Sequence, residues 1–247
     1  MKKTFTITLL VLLILLLAVS CSSLSVEEGA EESGKLPYLP VMVDSGPAVL
    51  VNGKAVDDLE LRIFTSFLKQ EIQDDFIRKY HAVPGEGFWQ HSFEGEVPLE
   101  QLVKWVVYKA VWNRLAQEMA VEYGLRQLTG LEDKKAKLNE ENQLRLNMKE
   151  KGETIYGPEQ YTLEDFYLVD EQSLELALIQ TLESKEILRD EGRGRDRRIH
   201  RIDRMKMAFR QLIEEKMEAC EVRINEQALL SLLSPLLKEE DKETGAT

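Results

Sequence analysis

The chain has 247 residues, with 44 acidic against 32 basic side chains and a formal charge of −12. Such a surface repels phosphate backbones and anionic headgroups, which argues against nucleic-acid binding by the protein as a whole. Two cysteines and three histidines are too few for a disulfide framework and offer little to a metal centre.

The chain opens MKKTFTITLLVLLILLLAVSC. Lys2 and Lys3 form a basic start, and the apolar run from Phe5 to Val19 is shorter than the ~20 residues that span a bilayer. It ends in small residues, so residues 1–20 are expected to be an export signal. The order Leu17-Ala18-Val19-Ser20-Cys21 resembles the lipobox of bacterial lipoproteins, although Ala18 stands where that family most often has Leu. The resemblance implies a diacylglycerol on Cys21, which becomes the new N-terminus. The mature chain would then be anchored to the bilayer of the cell membrane on its extracytoplasmic side, or to an outer membrane where the host has one. An uncleaved anchor, or an ordinary signal with Cys21 incidental, are the alternatives. Losing Lys2 and Lys3 takes the charge from −12 to −14. Cys220 would then be the one remaining thiol, and its apolar neighbours at helical spacing suit a small buried residue better than a nucleophile.

From residue 21 to 46 the composition is mostly Ser, Glu, Gly and Pro, which reads as a flexible acidic tether. A folded part of about 190 residues is expected over 47–237, enough for one well-cored domain. It opens with a hairpin: Ala48 to Val51 is apolar, Asn52-Gly53 is a tight-turn dipeptide, and Lys54 to Val56 returns. Asp57 is placed as a helix cap, with Glu60 three residues on completing a capping box. Leu61, Phe64, Leu68, Ile72 and Phe76 follow on one helical stripe.

That helix should end near Tyr80, before a Gly-rich loop, and Pro98 should start the next. Leu102, Val103, Val106, Val107, Ala110, Val111, Leu115 and Met119 make this second helix the expected centre of the fold. Residues 131–150 favour helix but are sparsely apolar, which suits a solvated helix packed along one narrow edge. Thr162 begins another helix, carried by Leu168, Leu174, Ala177, Leu178 and Leu182 to about Leu188. These segments form an N-terminal part, 47–183, joined by a charged connector, 184–198, to C-terminal helices, 199–237. In the latter, Ile202, Met205, Phe209, Leu212, Ile213, Met217 and Cys220 share a stripe. A short extended step (Val222 to Ile224) and a last helix capped by Asn225 follow. Residues 238–247 form a polar tail.

No group of residues converges on a catalytic chemistry. His81, His91 and His200 have no partner at metal-ligand spacing, and there is no phosphate-cradling Gly loop, nucleophile elbow or CxxC. The expectation is therefore no catalytic residue, no metal and no cofactor. The Arg-rich run Arg189, Arg193, Arg195, Arg197, Arg198, Arg201 and Arg204 departs from the overall acidity. It either touches anionic lipid heads or pairs with acidic residues of the same molecule. Aromatics are more suggestive. Trp105, Tyr108 and Trp112 lie at i, i+3 and i+7 on the flank of the central helix, and Phe88, Trp89 and Phe93 crowd the loop before it. They form either a groove for apolar segments of other polypeptides or packing between helices.

The stretch AVLVNGKAVDDLELR resembles the start of the N-terminal domain of the SurA and PrsA type of extracytoplasmic chaperones. GFWQHSFEGEVPLEQLVKWVVYKAVWNRLAQEMAVEYGL is similar to the second-helix region of lipoproteins in that group. GETIYGPEQYTLEDFY resembles the segment leading to their next helix, and EVRINEQAL the step after their long C-terminal helix. Their order, covering most of 47–235, carries the resemblance. It implies a mostly α, SurA N-terminal-like domain with a short β-hairpin and a C-terminal helix packing back on it. The parvulin prolyl isomerase domain of the best-known members has no room here, because a folded domain needs at least ~50 residues. The resemblance thus implies an ATP-independent chaperone that binds unfolded or partly folded exported proteins, with Trp89, Phe93, Trp105, Tyr108 and Trp112 as candidate client contacts. An adaptor for one envelope partner and a degenerate prolyl isomerase are the alternative readings.

Overall fold

The structure is a computed structural model describing residues 36–126, 130–188 and 200–238. The expected signal, Cys21, the first part of the tether, residues 189–198 of the connector and the end of the tail lie outside the described residues. In chain order the elements are β1 (Val41–Met42), β2 (Val49–Val51), β3 (Lys54–Ala55), α1 (Asp58–Tyr80) and a short 3₁₀ turn (Phe88–Gln90). Then come α2 (Pro98–Glu122), α3 (Leu131–Glu150), α4 (Leu163–Ser184), α5 (His200–Glu218), β4 (Val222–Ile224) and α6 (Glu226–Lys238). The protein is mostly helical with a small four-stranded sheet. Its described residues form two compact units, 132–166 and the remainder.

In the larger unit, the Asn52-Gly53 turn behaves as its residue types dictate. Both residues have positive φ, 50° and 74°, the backbone of a type I′ turn, which only Asn, Asp or Gly tolerate at low cost. The turn also ties the start of the chain to its far end. The Asn52 amide N–H donates to the Glu221 carbonyl (2.9 Å), and its Oδ1 accepts from the Glu221 N–H (3.1 Å). Strand order is β1-β4-β2-β3. β4 runs antiparallel to β2 and parallel to β1, with Val41 opposite Arg223 and Met42 opposite Ile224.

β1 lies within the segment that composition assigns to the tether. Residues 36–43, LPYLPVMV, carry no charge, and their apolar side chains are what the Ser- and Glu-rich stretch before them lacks.

α1 is capped by Asp57, whose Oδ1 accepts from the Leu59 N–H (2.8 Å). The expected capping box is replaced, because the Glu60 carboxylate is taken up elsewhere. Leu61, Phe64, Ile72 and Phe76 face inward, and α1 packs mainly on α2 and also on α6. α2 begins at Pro98 and buries Leu102, Val106, Val107, Ala110, Val111, Leu115 and Met119. It ends where Gly124 takes a φ of 69° and the Leu125 N–H turns back to the Ala120 carbonyl (2.8 Å), a left-handed helix stop. α5 packs on α2 through Met205, Phe209, Ile213 and Met217. Ile202, expected on that stripe, is exposed instead. Asn225 caps α6, accepting from the Ala228 N–H (3.1 Å), and its Nδ2 donates to the Gly46 carbonyl (3.1 Å).

The smaller unit is most of α3 and the segment that returns along it. Asn142 pairs with the Tyr161 backbone in both directions (2.8 and 2.9 Å). Arg145 donates to the carbonyls of Tyr156 and Pro158 (3.0 and 2.7 Å) and lies over the Tyr161 ring. A helix of low hydrophobicity is thus held by polar side chains on the single stripe that its loop covers.

Candidate functional site

The structure divides the five candidate aromatic residues into two groups, and no ring contact among the described residues joins them. Trp89 belongs to the first. It follows Gly87, whose φ of 80° bends the loop so that Phe88 and Trp89 turn inward; Trp89 is only 6 % exposed. Phe88 meets Trp89 edge-on at 5.3 Å and packs on Phe76 of α1 and on Phe93. Phe93 is half-buried, stacks on Tyr80 at 6.0 Å and meets His91 at 4.5 Å. A Glu94-Gly95 turn fixes it, through paired bonds between Phe93 and Glu96 (2.8 and 2.9 Å). Lys79 closes the rim by pairing with Glu96 (2.9 Å). That bond holds the Glu96 carboxyl below its usual range. This group is a knot of core packing, and Trp89 is sealed inside it.

Trp105, Tyr108 and Trp112 form the second group, all half-buried on one side of α2. Trp105 meets Tyr108 edge-on (5.4 Å), and Tyr108 meets Trp112 (6.2 Å). Two of the three are also engaged with α5. The Tyr108 hydroxyl donates to Glu214 (2.9 Å), and Trp112 packs edge-on against buried Phe209 (5.9 Å). Burial and the Glu214 charge together raise the Tyr108 pKa. Trp105 is less engaged, with Tyr108 as its ring neighbour and Lys104 6.0 Å away.

A residue that the sequence placed in the tether is also part of the packed interior. Tyr38 is 3 % exposed, and its hydroxyl has no hydrogen-bond partner. Burial raises its pKa, and Tyr108 and Cys220 raise it further. Cys220 is half-buried, accepting from Asn52 Nδ2 (3.6 Å) and donating to the Lys216 carbonyl (3.4 Å). Burial, the largest effect on it, raises its pKa. A low-pKa nucleophile needs the opposite setting.

Sequence reasoning also missed a buried polar cluster on the other side of α2. The Tyr167 hydroxyl donates to Glu60, and Asn113 Nδ2 donates to Tyr167 (2.6 Å). Burial, followed by the Glu60 charge, pushes the Tyr167 pKa far up. Alongside, Lys109 pairs with Glu171 (3.1 Å) and Arg126 with Asp170 (2.9 Å). Each group has an opposite charge or a donor, and the cluster seats α4 on α1 and α2.

Among the described residues no three His, Cys, Asp or Glu side chains stand close enough to hold a metal ion. No described helix is long and apolar enough to cross a membrane. His81 is an exposed left-handed cap at the end of α1. Of the Arg-rich run, Arg201 pairs with Glu183 at the end of α4, and residues 189–198 lie outside the described part. An open hollow of about 320 Å³ lies between Gly46, Pro47, Asp58, Arg62 and Ser231. No protein-family model, curated protein or solved structure matches this chain.

Proposed function

We propose that this chain is a lipid-anchored extracytoplasmic protein with a chaperone-like domain of the SurA N-terminal type, which binds non-native exported polypeptides without ATP. The observation that carries the reading is the aromatic row Trp105-Tyr108-Trp112, half-open on α2 beside α5. Two further features support it. The hairpin at the start of the domain is completed by a strand from its end, and the ordered sequence segments resemble that chaperone group. Clients would bury apolar residues against the row, and the acidic surface would keep the complexes soluble. Trp89 is assigned to the core and leaves the client-contact set; Phe93 stays at its rim.

The test uses the full chain in lipid nanodiscs and follows aggregation of several unrelated unfolded proteins by light scattering, with empty nanodiscs as control. Suppression of all of them at near-stoichiometric ratios is expected. Suppression of none would overturn the chaperone reading. The anchor has its own test: Cys21→Ser should move the expressed chain out of the membrane fraction and abolish incorporation of labelled palmitate. Persistence of both would remove the lipoprotein reading.

A further inference from the structure

The segment 36–43 is held in place by little, and the way it is held describes a binding site. β1 is two residues long, pairs in parallel, and lies at one end of the strand order. Pro37 and Pro40 remove two backbone donors from the segment; past the ladder, one bond from the Val43 N–H to the Ile224 carbonyl (2.9 Å) fastens it. Its large apolar side chains mostly face water: Leu39 is 84 % exposed, Val41 50 % and Met42 55 %. In β2, by contrast, Val49 and Val51 are fully buried. The one side chain the segment buries deeply is Tyr38, and that burial is imperfect, because the hydroxyl is shut away from water without a partner. An unsatisfied buried hydroxyl opposes the burial of its own ring.

We propose that the edge of β4 together with the buried slot that takes the Tyr38 ring is a peptide-docking groove, which residues 36–43 occupy as an internal, displaceable strap. The occupant it is built for is an uncharged extended segment of a non-native polypeptide, running parallel to β4. Such a segment places an aromatic ring, best a Phe, three residues before the position opposite Arg223. The strap shows which chemistry the groove accepts: a backbone strand for the edge, a ring for the slot, and no charge. A client gains main-chain bonds along β4 and specificity from the slot, the mode of strand addition. It must displace the strap, so a looser strap gives tighter client binding. This inference rests on the chaperone reading above and assigns its client site.

The experiment titrates a fluorescent synthetic copy of residues 36–44 carrying Tyr38→Phe into the full chain in lipid nanodiscs, read by anisotropy, with empty nanodiscs subtracted. The Tyr38→Ala chain, with its strap loosened, should bind at least tenfold more tightly than the unaltered chain. The Tyr38→Phe chain, whose strap is relieved of the orphan hydroxyl, should bind at least threefold more weakly. Should Tyr38→Ala fail to fold, Val43→Pro carries the same test, since it removes the bond to Ile224 and leaves Tyr38 in place. Equal affinities throughout, or no binding by any chain, overturn the strap. The two readings fail separately. Suppressed aggregation with flat peptide affinities removes the strap and keeps the chaperone; tight capture by Tyr38→Ala without suppression does the reverse.

Discussion

The knot around Phe88 and the row on α2 use the same kinds of side chain to opposite ends. In the knot, Phe76, Phe88 and Trp89 are buried rings packed on rings, and the one ion pair, Lys79 with Glu96, sits at the rim. In the row, each ring keeps an open side, and the middle one is oriented by a hydrogen bond to Glu214. A ring sealed by other rings contributes burial alone. A ring set on a helix flank and aimed by a polar bond has a fixed geometry and surface to spare, which a binding face requires. Aromatic content alone does not distinguish them; the neighbours on the second side of each ring do.

Substitutions can break or sharpen this contrast. The largest effect belongs to Trp89→Ala, which should cost about 3–5 kcal/mol of stability. It should show as a lower urea midpoint, with peptide affinity unchanged where the protein remains folded. Trp105→Ala should cost about 1–2 kcal/mol while weakening client binding roughly tenfold, a loss of about 1.4 kcal/mol in binding. If Trp105→Ala matches Trp89→Ala in stability and leaves binding intact, the row is core as well. Tyr108→Phe should cost about 1 kcal/mol through the lost bond to Glu214, measured by the same denaturation. The smallest effect is at the rim of the knot. The folded Glu96 carboxyl titrates below its unfolded range, so its contribution is present above that range and is lost as pH falls through the folded value. Glu96→Gln should flatten that acid-side loss, by no more than about 1 kcal/mol because the pair is exposed. A comparison of urea midpoints at neutral and acidic pH reads it directly.

Much of the fold was legible because its signals are local. The stripe from Leu61 to Phe76, the Pro98 start, the Asn52-Gly53 turn and the Asn225 cap each act within one helical turn or one hairpin. What was not legible depends on distant partners. The spacing of Asp57 and Glu60 suits a capping box, but a tyrosine from α4, 107 residues away in sequence, outcompetes the local backbone for Glu60. The strap was hidden for a different reason. Averaging over 21–46 let Ser and Glu mask eight uncharged residues whose order comes from the edge of β4. For the candidate site, the heptad-like spacing of Trp105, Tyr108 and Trp112 was enough to place them on one flank. Nothing in the loop before Pro98 distinguished Trp89, turned inward, from Phe93 at the rim.

The sheet has a consequence for the timing of folding. β4, the strand between β1 and β2, is residues 222–224 of 247. A chain made or delivered from its N-terminus therefore presents its hairpin and the strap segment long before the strand that unites them exists. Closing that gap brings together residues about 170 apart in sequence, the kind of non-local pairing that slows folding. Until then the strap has no edge to lie on and Tyr38 no slot. Appearance of protection at the Val43 amide in a pulsed hydrogen-exchange experiment would therefore report completion of the whole domain, and it should come after protection of α1 and α2.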